Sequence, residues 1–142
     1  KKERKAILEE LKNETRTIIL YEAPHHLVGT LQELYQALGN RRMTLCRELT
    51  KKYETAFRTT IEDLIAFYKD QKPLGECVLV IEGRSRKEME QESQESWRDI
   101  SIEEHMAIYE NQGIARKEAM KMVAKDRGVT KRDIYQALLL QK

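Results

Sequence analysis

The sequence predicts an α/β layered domain followed by a small all-α tail. Three patterns carry that expectation. Short apolar runs of strand type alternate with helical periodicities as far as Gly83. One of them, Val78-Leu79-Val80-Ile81, is continuous and rich in β-branched residues, the kind of run that is buried on both faces of a sheet. Beyond residue 100 the strand-type runs cease, and only helix starts and stops recur.

Residues 2–12 read as a charged helix with Ala6, Ile7, Leu8 and Leu11 as its apolar stripe. Residues 16–21 read as a strand. Pro24 then opens a helix, since a proline in the first turn has no N–H to leave unpaired. Leu27, Val28, Leu31, Leu34, Tyr35 and Leu38 recur at helical spacing, and Gly39-Asn40 stops that helix. Residues 43–47 make a second strand and residues 53–58 a third. Alternation in the third puts Tyr53, Thr55 and Phe57 on one face and Glu54, Ala56 and Arg58 on the other. Thr60 to Asp63 has the form of a helix start, with Ile61, Leu64, Ile65 and Tyr68 on the apolar face that follows.

Residues 84–99 are polar and unpatterned, and read as a linker, mobile or loosely helical. Trp97, the one tryptophan, is expected to pack as an anchor near the end of this segment. The tail, 100–142, reads as three short helices. Ser101-Ile102-Glu103-Glu104 is a capping box. A second helix from Ala115 to Asp126 turns Ala119, Met120 and Val123 inward and ends at Gly128. A third starts at Thr130 with Ile134, Ala137 and Leu138 inward, so the pair resembles a helix-turn-helix.

Composition sets bounds on function. A length of 142 residues suits one core and a small appendage. Net charge is +2 with 35% charged residues, so the whole is not strongly basic. From residue 113 onward, however, eight basic residues face three acids. That cluster points to RNA contact through Arg116, Lys117, Lys121, Lys125, Arg127, Lys131 and Arg132. Cys46 and Cys77 sit in apolar runs and read as buried reduced thiols, with neither metal spacing nor a disulfide framework. No apolar run approaches membrane-spanning length. A cytoplasmic protein is expected, without signal peptide, metal or membrane contact. Lys1 stands where a methionine would, so the chain is expected to be a piece of a longer protein.

Two polar clusters follow two strands: Tyr21, Glu22 and His25 after the first, and Arg47, Glu48, Lys51 and Glu54 after the second. Taken alone, such residues are ordinary solvated loop charges. In open α/β sheets, however, ligands bind beyond the carboxyl ends of strands, and two clusters at successive ends suggest one shared crevice.

Tyr-Glu-Ala-Pro-His at 21–25, Arg-Glu-Leu-Thr-Lys-Lys-Tyr-Glu at 47–54 and Lys-Pro-Leu-Gly-Glu-Cys-Val-Leu-Val-Ile-Glu-Gly at 72–83 together resemble one family. It is the 16S ribosomal RNA cytidine 2′-O-methyltransferases, a branch of the tetrapyrrole-methylase-like enzymes that use S-adenosylmethionine. The resemblance covers residues 1–83 well and the tail more loosely. Two positions depart from the family pattern: Ala23 stands where serine is usual, and His26 where arginine is usual.

The resemblance implies that residues 1–83 are the mixed-sheet C-terminal domain of the methyltransferase. It implies catalytic candidates in Glu22, His25, Arg47, Glu48, Lys51 and Glu54, with Arg47 better suited to pairing a carboxylate or phosphate than to acid–base work. Cofactor contacts, mostly backbone, would fall at Tyr21, Glu22, Ala23, Gly75, Glu76 and Cys77. None of the six glycines cluster, so the glycine-rich half of a nucleoside site is absent. The resemblance places it in a preceding domain, which makes this chain half of an active site, inactive alone. The implied partners are 16S ribosomal RNA or the small ribosomal subunit, and a second copy in a homodimer. Two other readings remain open: a non-catalytic nucleic-acid-binding or dimerisation module, and a tetrapyrrole-type methylase of the same superfamily.

Overall fold

Pro24 and Gly39 bracket the helix on which the first half of the chain is built. The computed structural model describes residues 1–141. In chain order it contains α1 (Lys2–Lys12), β1 (Ile18–Glu22), a 3-10 turn (Pro24–His26), α2 (Leu27–Leu38), β2 (Arg42–Arg47), β3 (Thr55–Thr60), α3 (Ile61–Phe67) and β4 (Cys77–Ile81). Four further helices follow: α4 (Arg86–Glu95), α5 (Ile102–Glu110), α6 (Arg116–Arg127) and α7 (Lys131–Leu140). They divide into two compact units, Lys1–Ser85 and Arg86–Lys142.

In the first unit the four strands lie in the order β1-β4-β2-β3. The α/β domain is present as expected, but the sheet expected to be mixed is antiparallel at all three pairings. The reason is where β4 enters. It lies between β1 and β2 and runs against both, so these two strands never pair with each other. Residues of α1, α2 and α3 pack with the sheet in one cluster. Leu27, Leu31, Leu34, Ile61 and Leu64 meet Leu45, Leu79 and Ile81, all at 2% exposure or less. Burying each such side chain stabilises the fold by about 1.5–3 kcal/mol.

The other sheet face carries Ile19 and Tyr21, which are exposed, and Val78 and Val80, which are half-buried. The Val78–Ile81 run is therefore not buried on both faces. It alternates, with Cys77, Leu79 and Ile81 inward, because the helices of this unit cover one face. β3 runs over 55–60 rather than 53–58, and its last residue, Thr60, caps α3 by accepting from Asp63 N at 3.2 Å.

The second unit has its own core of Met106, Ala119, Val123, Ala124, Ile134 and Leu138. The segment read as a linker contains α4, a helix with no buried residue. Its charged side chains satisfy solvent on most of its surface, which is why no apolar period marks it in the sequence. Trp97 does act as an anchor: its ring stacks on His105 at 3.9 Å and 10°. His105 is fully buried. Arg127 Nε donates to its Nδ1 at 3.0 Å, so Nε2 carries the proton and donates to Asp126 Oδ2 at 2.9 Å. The Tyr109 hydroxyl donates to the same carboxylate oxygen, which pushes the Tyr109 pKa up to about 12. Gly128 adopts the left-handed conformation that ends α6, and Thr130 and Asp133 form a reciprocal capping box on α7.

Two glycines of the first unit make opposite demands. A Cβ at Gly83 would collide with the backbone carbonyl of Thr15, whereas a Cβ at Gly29, inside α2, would meet nothing. Gly83→Ala should therefore lower the unfolding free energy by about 1–3 kcal/mol. Gly29→Ala should raise it by about 0.5–1 kcal/mol. Urea denaturation of the two variants checks both signs.

Candidate active site

Strand pairing places four residues in one row at one end of the sheet. Glu22 ends β1, Cys77 begins β4, Arg47 ends β2 and Thr55 begins β3, and they pair in that order across the sheet. Directly paired residues point to the same face. All four lie on the face that carries the helices, since Cys77 is buried with Leu79 and Ile81. The two polar clusters thus meet at one sheet end. Tyr21 does not join them. It pairs with Val78, one step along, so it points to the opposite face, where it is 83% exposed.

Glu22 is tied into the scaffold. Its Oε1 accepts from Ala23 N at 2.9 Å and its Oε2 from the Thr30 hydroxyl at 2.6 Å. Arg4 of α1 donates to Thr30 Oγ1 at 2.7 Å and lies 4.0 Å from the Glu22 carboxylate. Arg4 and Thr30 were not legible as site residues, because neither belongs to a strand-end cluster. An ion pair between Glu22 and Lys51 is not formed. Lys51 Nζ instead meets Glu48 at 3.2 Å and Glu76 at 4.0 Å.

Glu48 holds the two loops at this end together. Its N–H donates to Glu76 O at 3.2 Å, and its side-chain Oε1 accepts from Glu76 N at 3.0 Å. The Lys51 ammonium, with help from that N–H, holds the Glu48 carboxyl below its ordinary value of 4.5. Gly75, at φ +78°, makes this possible, since any Cβ there would overlap the Glu48 carboxylate. Glu48 and Thr50 have positive φ of 53° and 65°, unusual for non-glycine residues, and rarest for a β-branched one. Glu54 Oε1 closes the same loop on Thr50 N at 3.3 Å.

Arg47 lies against Thr55 Oγ1 at 3.3 Å and beside the Tyr68 hydroxyl and the Cys77 thiol. Burial pushes the Cys77 thiol up, so it stays protonated. A depression of about 690 Å³ opens beside the row, lined by Tyr21–His25 on one side and by Leu49, Glu76, Cys77 and Val78 on the other. His25 is exposed there, its ring 4.1 Å from that of His26. Among the described residues no cluster of His, Cys, Asp or Glu could hold a metal ion.

In the second unit the basic residues are not equivalent. Arg116 pairs with Glu110 at 3.1 Å and Lys121 with Glu118 at 2.9 Å. Arg127 points inward, donating to His105 and, at 2.6 Å, to the carbonyl of Ile100. It braces the core and is removed from the exposed basic set. Lys117, Lys125 and Arg132 are exposed, and Lys131 is half-buried at the start of α7.

No family model matches the chain. The ribosomal RNA small subunit methyltransferase I of Bacillus subtilis is 44% identical over 137 residues, covering 96% of this chain and 47% of that protein. The protein of the same name from Halalkalibacterium halodurans is 43% identical over 95% of the chain and 46% of its own length. That of Escherichia coli O157:H7 is 31% identical over 99% of the chain and 48% of its own length. Almost end to end, this chain is homologous to ribosomal RNA small subunit methyltransferase I. The chain spans about half the length of the curated relatives it matches. The methyltransferase resemblance carried by the three motifs is thus shared across both units, including the tail.

A carboxylate held below its ordinary value stabilises the fold while it is ionised. That contribution is present above the unfolded value and lost as pH falls through the folded one. Glu48 and Glu118 are both held below 4.5, by Lys51 and Lys121 respectively, and Glu14 is brought down to about 2 by Arg16. Urea midpoints should therefore fall as pH drops below about 4.5. Lys51→Met should move the Glu48 carboxyl titration upward in carbon-detected NMR. An unmoved titration would remove Lys51 as its cause.

Proposed function

We propose that this chain is part of an S-adenosylmethionine-dependent methyltransferase that methylates the 2′ oxygen of a cytidine ribose in 16S ribosomal RNA. The observation that carries the reading is the row Glu22–Cys77–Arg47–Thr55, flanked by loops locked through Glu48 and Glu76, in a chain homologous to ribosomal RNA small subunit methyltransferase I. The enzyme works as a cytoplasmic homodimer on the small ribosomal subunit.

The depression has the size and mixed lining of a nucleoside site: Pro24, Leu49 and Val78 offer apolar wall, and Glu22 and Glu76 a polar rim. Two of the backbone donors expected to meet the adenosine already have partners. Ala23 N–H is held by Glu22 and Glu76 N–H by Glu48. This chain therefore contributes mainly shape and packing from Tyr21–Ala23 and Gly75–Cys77, and the glycine-rich half of the site lies in the rest of the protein. When bound, S-adenosylmethionine would supply an electrophilic sulfonium methyl group for the ribose oxygen.

The chain's own residues then have separable tasks. Glu22, held by Thr30 and Ala23, fixes the turn from β1 into α2. Glu48, Lys51 and Glu54 set the loop that closes over the sheet end, and Arg47 presents a permanent cation to the RNA backbone. The hydroxyl proton goes to His25. Among the acid–base candidates it is the exposed side chain lining the depression without a hydrogen bond in the described structure.

Two outcomes test the division of labour. The isolated chain should transfer no methyl group, and calorimetric titration with S-adenosylmethionine should show very weak binding or none. Micromolar affinity would overturn the half-site reading. In the full-length protein, replacing Lys117 and Arg132 by Ala should weaken RNA binding and flatten its salt dependence by roughly one to two units of log–log slope. Single-turnover methylation at saturating RNA should change little, because these residues are assigned to gripping the substrate and the chemistry to residues of the first unit.

A further inference from the structure

We propose that the aromatic pair Phe57–Phe67 is a stacking platform for one unpaired base of a single-stranded RNA, the neighbour of the nucleotide held at the sheet end. The inference rests on the reading of the chain as part of an RNA-modifying enzyme, and adds a specific contact to it.

Phe57 and Phe67 are 44% and 43% exposed, although each is a large apolar ring. Their centroids are 5.6 Å apart at 47°. A buried ring backs the pair. Phe67 meets Tyr68 edge-on at 5.1 Å and 81°, and Tyr68 is buried, at 6% exposure. An aromatic surface that is half-exposed and backed by a buried ring is suited to stacking, since every base offers a π-face.

Position ties this surface to the candidate site. β3 is the outer strand of the sheet. Phe57 stands two residues from Thr55 on the same face, a step of about 7 Å. Thr55 is the end of the row and accepts from Arg47. A strand of RNA entering over β3 thus passes Phe57 and reaches Arg47 within the span of adjacent nucleotides.

Charge fits the same occupant. Lys52 and Lys69 are exposed on the segments that lead into β3 and out of α3. Lys52 Nζ lies 5.6 Å from the ring of Tyr53, itself 75% exposed. Rings interleaved with cations suit single-stranded nucleic acid. A second copy of the chain would require a broad apolar patch, whereas hydroxyls of Thr55 and Thr59 flank Phe57 on its own face of the strand.

The test is a binding series with short single-stranded RNA and the chain Lys1–Lys142. Removing one base at a time as an abasic nucleotide should weaken binding about tenfold at one position. Replacing both Phe57 and Phe67 by Ala should weaken binding of intact RNA by a similar factor, and make that abasic position neutral. Phe57→Tyr should keep the affinity. Equal affinity for every abasic RNA would overturn the proposal, and this comparison needs no variant. So would unchanged RNA affinity in the double-Ala variant, equally tight binding of blunt duplex, or no RNA binding at all. If the double-Ala variant turns a dimer into a monomer in sedimentation while RNA affinity holds, the face packs a second copy instead. No methylation is measured, so failure of the methyltransferase reading is seen separately, as full-length protein that binds RNA without modifying it.

Discussion

The candidate site depends on β4 entering the sheet between β1 and β2. Sequence order would have let the first two strands be neighbours. With β4 between them and antiparallel to both, Cys77 becomes the common partner of Glu22 and Arg47. A shift of one residue would turn either side chain to the far face. The inward set of β4, namely Cys77, Leu79 and Ile81, prevents that slip, because each is at 1% exposure or less against α2 and α3. The register that buries the core is thus the register that aligns the polar row.

Beyond the row, the chain invests strain in one loop. Two non-glycine residues with positive φ, Glu48 and Thr50, hold a shape that the Glu48–Glu76 hydrogen bonds and the Lys51 ammonium then fasten. Gly75 is part of the device through the side chain it lacks. Such conformations persist where surrounding contacts over-determine them, and they concentrate at sites that bind or react. The carboxylates here are therefore divided between holding the loops and facing the depression, a division that residue type alone could not reveal.

The second unit solves a different problem. Its helices are short and carry much charge, so its apolar core is small. A buried polar network supplements it: Trp97 on His105, His105 between Asp126 and Arg127, and Tyr109 on Asp126. Each member has a partner, which is the condition for such a network to stabilise rather than cost. Arg127 belongs to this network, so the basic surface of the unit is narrower than its composition suggests.

Element boundaries were legible wherever a local rule governs them. Pro24, Gly39, Thr60, Gly128 and Thr130 marked starts and stops that depend on a few neighbouring residues, and the helical stripes of α2, α6 and α7 followed from periodicity. The motifs at 21–25, 47–54 and 72–83 were enough to indicate the methyltransferase resemblance. Three features required the tertiary structure. Strand order is a choice among pairings distant in sequence, so an apolar run such as Val78–Ile81 does not disclose whether one face or both are covered. Partner choice among charges depends on which loops come together, so Glu22 went to Thr30 and Arg4 while Lys51 went to Glu48. Burial of a polar residue has no period, so His105 and its partners carried no signal in the sequence. Local chemistry determined the pieces, and packing over long sequence separations decided which of them face one another.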